Sequence, residues 1–222
     1  MKEQIFKRYK ALLEERLDKI ELVNIGEDSI RYDFFIALSE IENLNPSDLQ
    51  LEYPIHEKAF NKRMNHRSKR NEKPQLDMMI SRGDLKMSFE FALFRQNSNK
   101  EGSINKTGRT TKMLNDMIRL ALDSYYTKRD AYFICVADDK MLGHQLRSKI
   151  IERFPSNYEI TKSLIEKHKE IKTSKFDDRF TSVFNKLNFN IISEIIFNTE
   201  IQAKKIERKT RVLIWRIIII NC

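Results

Sequence analysis

Cysteine is nearly absent from this 222-residue chain: Cys135 sits inside an apolar run and Cys222 is the last residue. Two cysteines so placed make no disulfide framework, which predicts a reducing, cytoplasmic setting. Glycine and proline are scarce, at 5 and 4, while 41% of residues are hydrophobic, which argues against disorder. No apolar run is long enough for a membrane span, and Met1-Lys2-Glu3 opens no signal-peptide pattern. The Gly spacing and Gly-Lys-Ser/Thr ending of a phosphate-binding P-loop are missing. His56 and His66 stand ten residues apart without Cys or His companions, a poor basis for a zinc site. Positive charge, in contrast, is plentiful: 41 Lys+Arg against 32 Asp+Glu give a net charge of +9. An anionic partner is expected, nucleic acid being the commonest, although many soluble proteins carry a basic and inert surface. The length suits one domain, residues 1–222.

The most informative stretch is Pro74 to Ala92. Leu85, Met87, Phe89, Phe91 and Leu93 alternate with Lys86, Ser88, Glu90 and Ala92, the period-2 signature of a half-buried strand. In the run before it, Leu76, Met78 and Ile80 alternate with Gln75, Asp77 and Met79. A two-residue loop at Arg82-Gly83 would pair Ser81 with Asp84 and set Asp77 opposite Ser88. Asp77 and Glu90 are then diagonal neighbours on one polar face, with Cβ atoms roughly 7 Å apart. A one-residue slip would turn Asp77 to the other face. Two carboxylates so placed suit a hard divalent cation that completes its shell with water and phosphate oxygens. The plainer alternative is a surface hairpin with two solvated acids.

The proline before the strand, the Asp77-to-Glu90 spacing and the elements that follow resemble the PD-(D/E)XK nuclease superfamily, the restriction-endonuclease-like fold. Pro74-Gln75-Leu76-Asp77 corresponds to the first half of its motif, with two residues inserted, and Glu90-Phe91-Ala92 to the second. The resemblance covers roughly residues 20–155 as an order of elements, with 156–222 as a C-terminal extension. It implies an α/β fold, a central mixed sheet flanked by helices, with an N-terminal helix and C-terminal strands added. It also implies metal ligation by Asp77, Glu90 and the Phe91 carbonyl, with Glu27 contributing from an early helix. Mg²⁺ is the expected cofactor, with Mn²⁺ as the alternative, and DNA phosphodiester hydrolysis the expected reaction. One departure matters: Ala92 stands where the family pattern has lysine. Lys112, opening the next helix, is preferred as the relocated cation. Lys86 shares the strand face of Glu90 but lies roughly 13 Å away along the strand.

Basic residues flank the acidic hairpin. The His56–Lys73 segment carries Lys62, Arg63, Arg67, Lys69 and Arg70, and the polar loop after Phe94 carries Lys106 and Arg109. These could straddle a phosphate backbone, or simply be solvated. Helices are expected over about 3–20, 28–41 (capped by Asp28-Ser29), 112–127 (capped by Thr110 or Thr111) and 140–153. Lys112, Asp116, Arg119 and Asp123 recur at helical spacing, as an exposed salt-bridged face does. Strands are expected at 49–55, 131–137, 189–197 and 210–220, with Trp215 and the final VLIWRIIII run buried. The sequence thus points to a metal-dependent nuclease of restriction, phage defence or repair, or to an inactive nucleic-acid-binding or assembly protein on the same scaffold. A homodimer or a subunit of a larger nucleic-acid-processing system would suit either reading, and no membrane association is expected.

Overall fold

Apolar residues recur every three or four positions in the first two helices, and this stripe seats both on one face of a sheet. The computed structural model describes residues 2–62, 64–65, 70–71, 73–96, 105–145, 151–168 and 175–221. The helices are α1 (Lys2–Leu17), α2 (Glu27–Glu42), α3 (Lys106–Thr127), α4 (Lys162–His168) and α5 (Asp178–Phe184). The strands are β1 (Leu49–Pro54), β2 (Met64–Asn65), β3 (Arg70–Asn71), β4 (Gln75–Arg82), β5 (Leu85–Phe94), β6 (Asp130–Asp138), β7 (Tyr158–Ile160), β8 (Phe189–Glu200) and β9 (Thr210–Asn221). Seven strands form one sheet in the order β1-β4-β5-β6-β9-β8-β7, while β2 and β3 pair separately. Among the described strands only β5 and β6 run parallel, joined by α3 as the crossover that parallel strands require.

Two cores sandwich the sheet. On one face Tyr9, Leu13, Ile30 and Phe34 pack on Met78, Ile80, Phe89 and Phe91. On the other, Met113, Met117, Ile118 and Ala121 of α3 pack with Phe94, Phe133 and Trp215. Strand β6 is covered on both faces, which explains why Ala131–Ala137 reads as an unbroken apolar run. Trp215 is fully buried, its indole N–H donating to the Ser156 carbonyl at 2.8 Å. Among the described residues no helix is long and apolar enough to cross a membrane.

Several local expectations need correction. α2 starts at Glu27 behind Gly26, so Asp28 and Ser29 lie in its first turn and do not cap it. α3 starts six residues before Lys112, capped by Asn105, whose side chain accepts from the Gly108 N–H at 2.9 Å. Thr110 and Thr111 are therefore buried helical residues, their hydroxyls donating to the Lys106 and Thr107 carbonyls at 3.0 Å. The expected 140–153 helix is not found in the described part of that range: residues 139–143 form turns, and 146–150 lie outside the described residues. Strands β8 and β9 form a hairpin and also extend the sheet, β9 pairing with β6. The run in β9 is buried at Val212–Trp215, but Ile220 at its end is 48% exposed.

Candidate functional site

The hairpin differs in register from expectation. Arg82 pairs with Leu85 and Ser81 with Lys86, so the loop is Gly83-Asp84 and each partner lies two residues further along β5. Gly83 takes φ +54°, the left-handed conformation that L side chains rarely adopt. A two-residue shift preserves the alternation of faces, and continuing it sets Asp77 level with Glu90. The ladder ends before that point, at Met78 and Phe89. Leu76 packs in the α3 core and Met78 in the α1–α2 core, so β4 turns over between them. Opposite the turn, Glu52 of the edge strand adopts φ +49°, a strained conformation for a residue with a side chain.

Where β4 leaves β5, carboxylates replace its carbonyls. Asp77 Oδ2 accepts from the Phe91 N–H at 2.7 Å, and Glu27 Oε2, from the first turn of α2, accepts from the Leu93 N–H at 3.3 Å. The Phe91 carbonyl accepts from Lys112 Nζ at 3.4 Å. That ammonium lies 3.7 Å from Glu27 and 3.2 Å from Asp116. Glu90, on the α3 side of β5, is 3.0 Å from Arg119, which also meets Asp116 at 3.1 Å and donates to the Gln75 carbonyl. Arg31 of α2 approaches Asp77 at 3.7 Å and holds Asp28 and Glu52. The acids Asp77, Glu27, Glu90 and Asp116 and the cations Lys112, Arg119 and Arg31 thus meet where β4, β5, α2 and α3 converge. A cleft of about 280 Å³, lined by Thr111, Lys112, Asn115, Asp116, Arg119 and Lys175, opens this cluster along α3.

Burial sets the titration of these groups. Desolvation pushes the Glu90 carboxyl well above its usual range; Arg119 opposes it, while Asp116 and Asp77 add to it. Desolvation likewise raises Asp116, against the pull of Lys112 and Arg119. Glu27 is raised by burial and the Asp77 charge, and lowered by Lys112. Burial pulls the Lys112 ammonium down, but Asp116 and Glu27 outweigh it, so its pKa rises and it stays protonated near neutral pH.

Of the residues singled out from sequence, Asp77, Glu90, the Phe91 carbonyl, Glu27 and Lys112 come together. Lys86 does not: it pairs with Ser81 beside the turn, exposed, at the hairpin's far end. Of the basic residues, Lys62 is exposed, and Lys106 and Arg109 belong to the first turns of α3, Arg109 resting 5.9 Å from the Phe94 ring. Arg63, Arg67 and Lys69 lie outside the described residues, and only the backbone of Arg70 is described. Asp116, Arg119 and Arg31 were not foreseen. The row 112–116–119–123 reads as an exposed face, yet Asp116 and Asp123 are buried. Leu120 and Leu122 beside that row are the one sequence sign that this face of α3 is covered too.

The donor set suits a hard cation: carboxylates and a carbonyl, all oxygen. Glu90 Oε1 and Asp116 Oδ2 are buried without a hydrogen bond of acceptable geometry, despite the nearby cations. As the side chains stand, no three His, Cys, Asp or Glu groups among the described residues are gathered closely enough to hold an ion. Lys112 and Arg119 place positive charge beside Asp116 and Glu90. No family model, curated protein or solved structure matches this chain.

Proposed function

We propose that the protein is a Mg²⁺-dependent nuclease of the restriction-endonuclease-like fold, hydrolysing DNA phosphodiesters with its lysine relocated to α3. The observation that carries this reading is the position of Lys112 Nζ, 3.4 Å from the Phe91 carbonyl and 3.7 Å from Glu27. The element order α2-β1-β4-β5-α3-β6, with its one parallel pair, supports it. Asp77, Glu90 and the Phe91 carbonyl would hold Mg²⁺ or Mn²⁺, which polarises the phosphate and makes bound water more acidic. Glu27 then contributes through water, and Lys112, as an ammonium, orients the attacking water and offsets charge growing on the phosphate oxygens. It does not act as the base, because its neighbours hold its proton. Arg119 fixes the Glu90 and Asp116 carboxylates to α3. A cytoplasmic role in restriction, phage defence or repair, alone, as a homodimer or within a larger assembly, fits this chemistry.

One observation favours the alternative, a nucleic-acid-binding protein without activity. Glu90 is fully buried and already faces a guanidinium, and Ala92 has replaced the motif lysine. Plasmid cleavage in Mg²⁺ separates the two. The nuclease reading expects nicked or linear product from the wild type and a loss of about 100-fold or more in Asp77→Asn and Glu90→Gln. Salt-sensitive DNA binding with no Mg²⁺-dependent product from any of the three would establish the inactive reading.

A further inference from the structure

A further cavity lies beside the acid cluster, between α2 and β1. It measures about 570 Å³ and is lined by Arg16, Asp28, Arg31, Tyr32, Phe35 and Leu51. We infer that this cavity takes an unstacked nucleobase, so that the nucleic acid cleaved next to it is single-stranded or locally unpaired. The identity of the ligand rests on the nuclease reading; the shape and chemistry of the cavity do not.

Three observations lead to a base. First, the walls offer aromatic and aliphatic surface to water. Tyr32 is 59% and Leu51 54% exposed, on a helix and a strand whose neighbouring residues Phe34 and Leu49 are buried. The Tyr32 and Phe35 rings lie nearly parallel, 11° between planes and 6.5 Å between centres. Such faces stack on any base, because every base has a π-face. Second, the cavity is not built for an anion. Arg16 forks onto Asp33 at 2.6 and 2.7 Å, and Arg31 is held by Asp28 at 3.0 Å and Glu52 at 2.5 Å. Both guanidinium groups that line it are therefore neutralised, and Asp28 at the rim repels phosphate. A flat, uncharged ring is the ligand that fits, and the volume lies within the range of small-molecule sites. Third, the cavity and the acids share a side chain. Arg31 lines the cavity and also approaches Asp77 at 3.7 Å, while Asp28 follows Glu27 on α2. In a polynucleotide, the flat aromatic ring nearest a phosphate is a base. A paired base in a duplex has both faces covered, so only an unpaired or extruded one can enter.

The test is equilibrium binding, without divalent ion, of a short single-stranded oligodeoxynucleotide carrying one aminopurine, beside the same strand in a duplex. Wild type is expected to bind the single strand and quench the aminopurine by stacking. Tyr32→Ala should bind it roughly tenfold more weakly and lose the quench. Tyr32→Phe should keep both properties, and duplex binding should be the same in all three. Tyr32 is exposed, so these variants are expected to fold. Equal quenching and affinity in wild type and Tyr32→Ala would overturn the inference, as would equal weakening of single strand and duplex. Absence of any oligonucleotide binding also overturns it, leaving the apolar patch to a protein partner. Cleavage is scored separately with Glu90→Gln. Tyr32-dependent binding without any Mg²⁺-dependent product would retain the base site and remove the nuclease, and cleavage with a Tyr32-independent single strand would do the reverse.

Discussion

Glu90 is held out of water beside Asp116, with one guanidinium between the two carboxylates. Burial raises the pKa of both, so in the folded chain they keep protons that the unfolded chain has already released. The sign follows from linkage: stability from these groups is present below their unfolded values, near 4, and declines as pH rises toward their raised values. Glu90→Gln removes one of them. The difference in Tm between variant and wild type should therefore shift in the variant's favour as pH rises from about 4 to 7, read by thermal scans across that range. A difference independent of pH would contradict the burial argument. For the proposed nuclease, the same groups predict that cleavage strengthens with pH over this window, because a protonated carboxyl is a poor ligand for a hard cation.

Among the elements, α2 and the β4–β5 hairpin do most to place the acids. Phe34 of α2 meets Tyr9 at 5.1 Å, Phe89 at 5.1 Å and Phe91 at 5.6 Å, so one ring ties Glu27's helix to Glu90's strand. Phe34→Ala should cost about 3–5 kcal/mol in urea unfolding, whereas a loss under about 1 kcal/mol would show that this contact does not fix the helix. The period-2 pattern at Leu85–Leu93 was legible because one face carries large apolar groups and the other does not. The register was not, since Arg82-Gly83 and Gly83-Asp84 both offer a plausible two-residue turn and the pattern repeats every two residues. The start of α3 was hidden for a different reason. Gly108, Thr110 and Thr111 have poor helix propensity, and burial of Thr110 and Thr111 together with the Asn105 cap outweighs it. Gly83→Ala should destabilise by about 1 kcal/mol through the same turn, measurable as a lower urea midpoint, because alanine resists φ +54°.

Taken whole, the chain sets a +9 charge around a site whose own acids and cations nearly balance. On the proposed reading, attraction to nucleic acid comes from the surrounding surface, and affinity should fall steeply as salt is raised. The strands after residue 156 are more than an appendage: β9 lies between β6 and β8 and feeds both cores, Leu213 and Trp215 on one face and Val212 and Ile214 on the other. Between residues 20 and 138 the order of elements was legible up to β6, while the helix expected after it was not found in the described residues and the partner that covers β6 was left open. Lys112, proposed as the relocated lysine, is where sequence and geometry meet most closely. Single-turnover cleavage of DNA in Mg²⁺ by Lys112→Met and Lys86→Met therefore tests the account most directly. It predicts a loss of about 100-fold or more for Lys112→Met and wild-type rates for Lys86→Met. Cleavage undiminished in Lys112→Met, or lost in Lys86→Met instead, would contradict it.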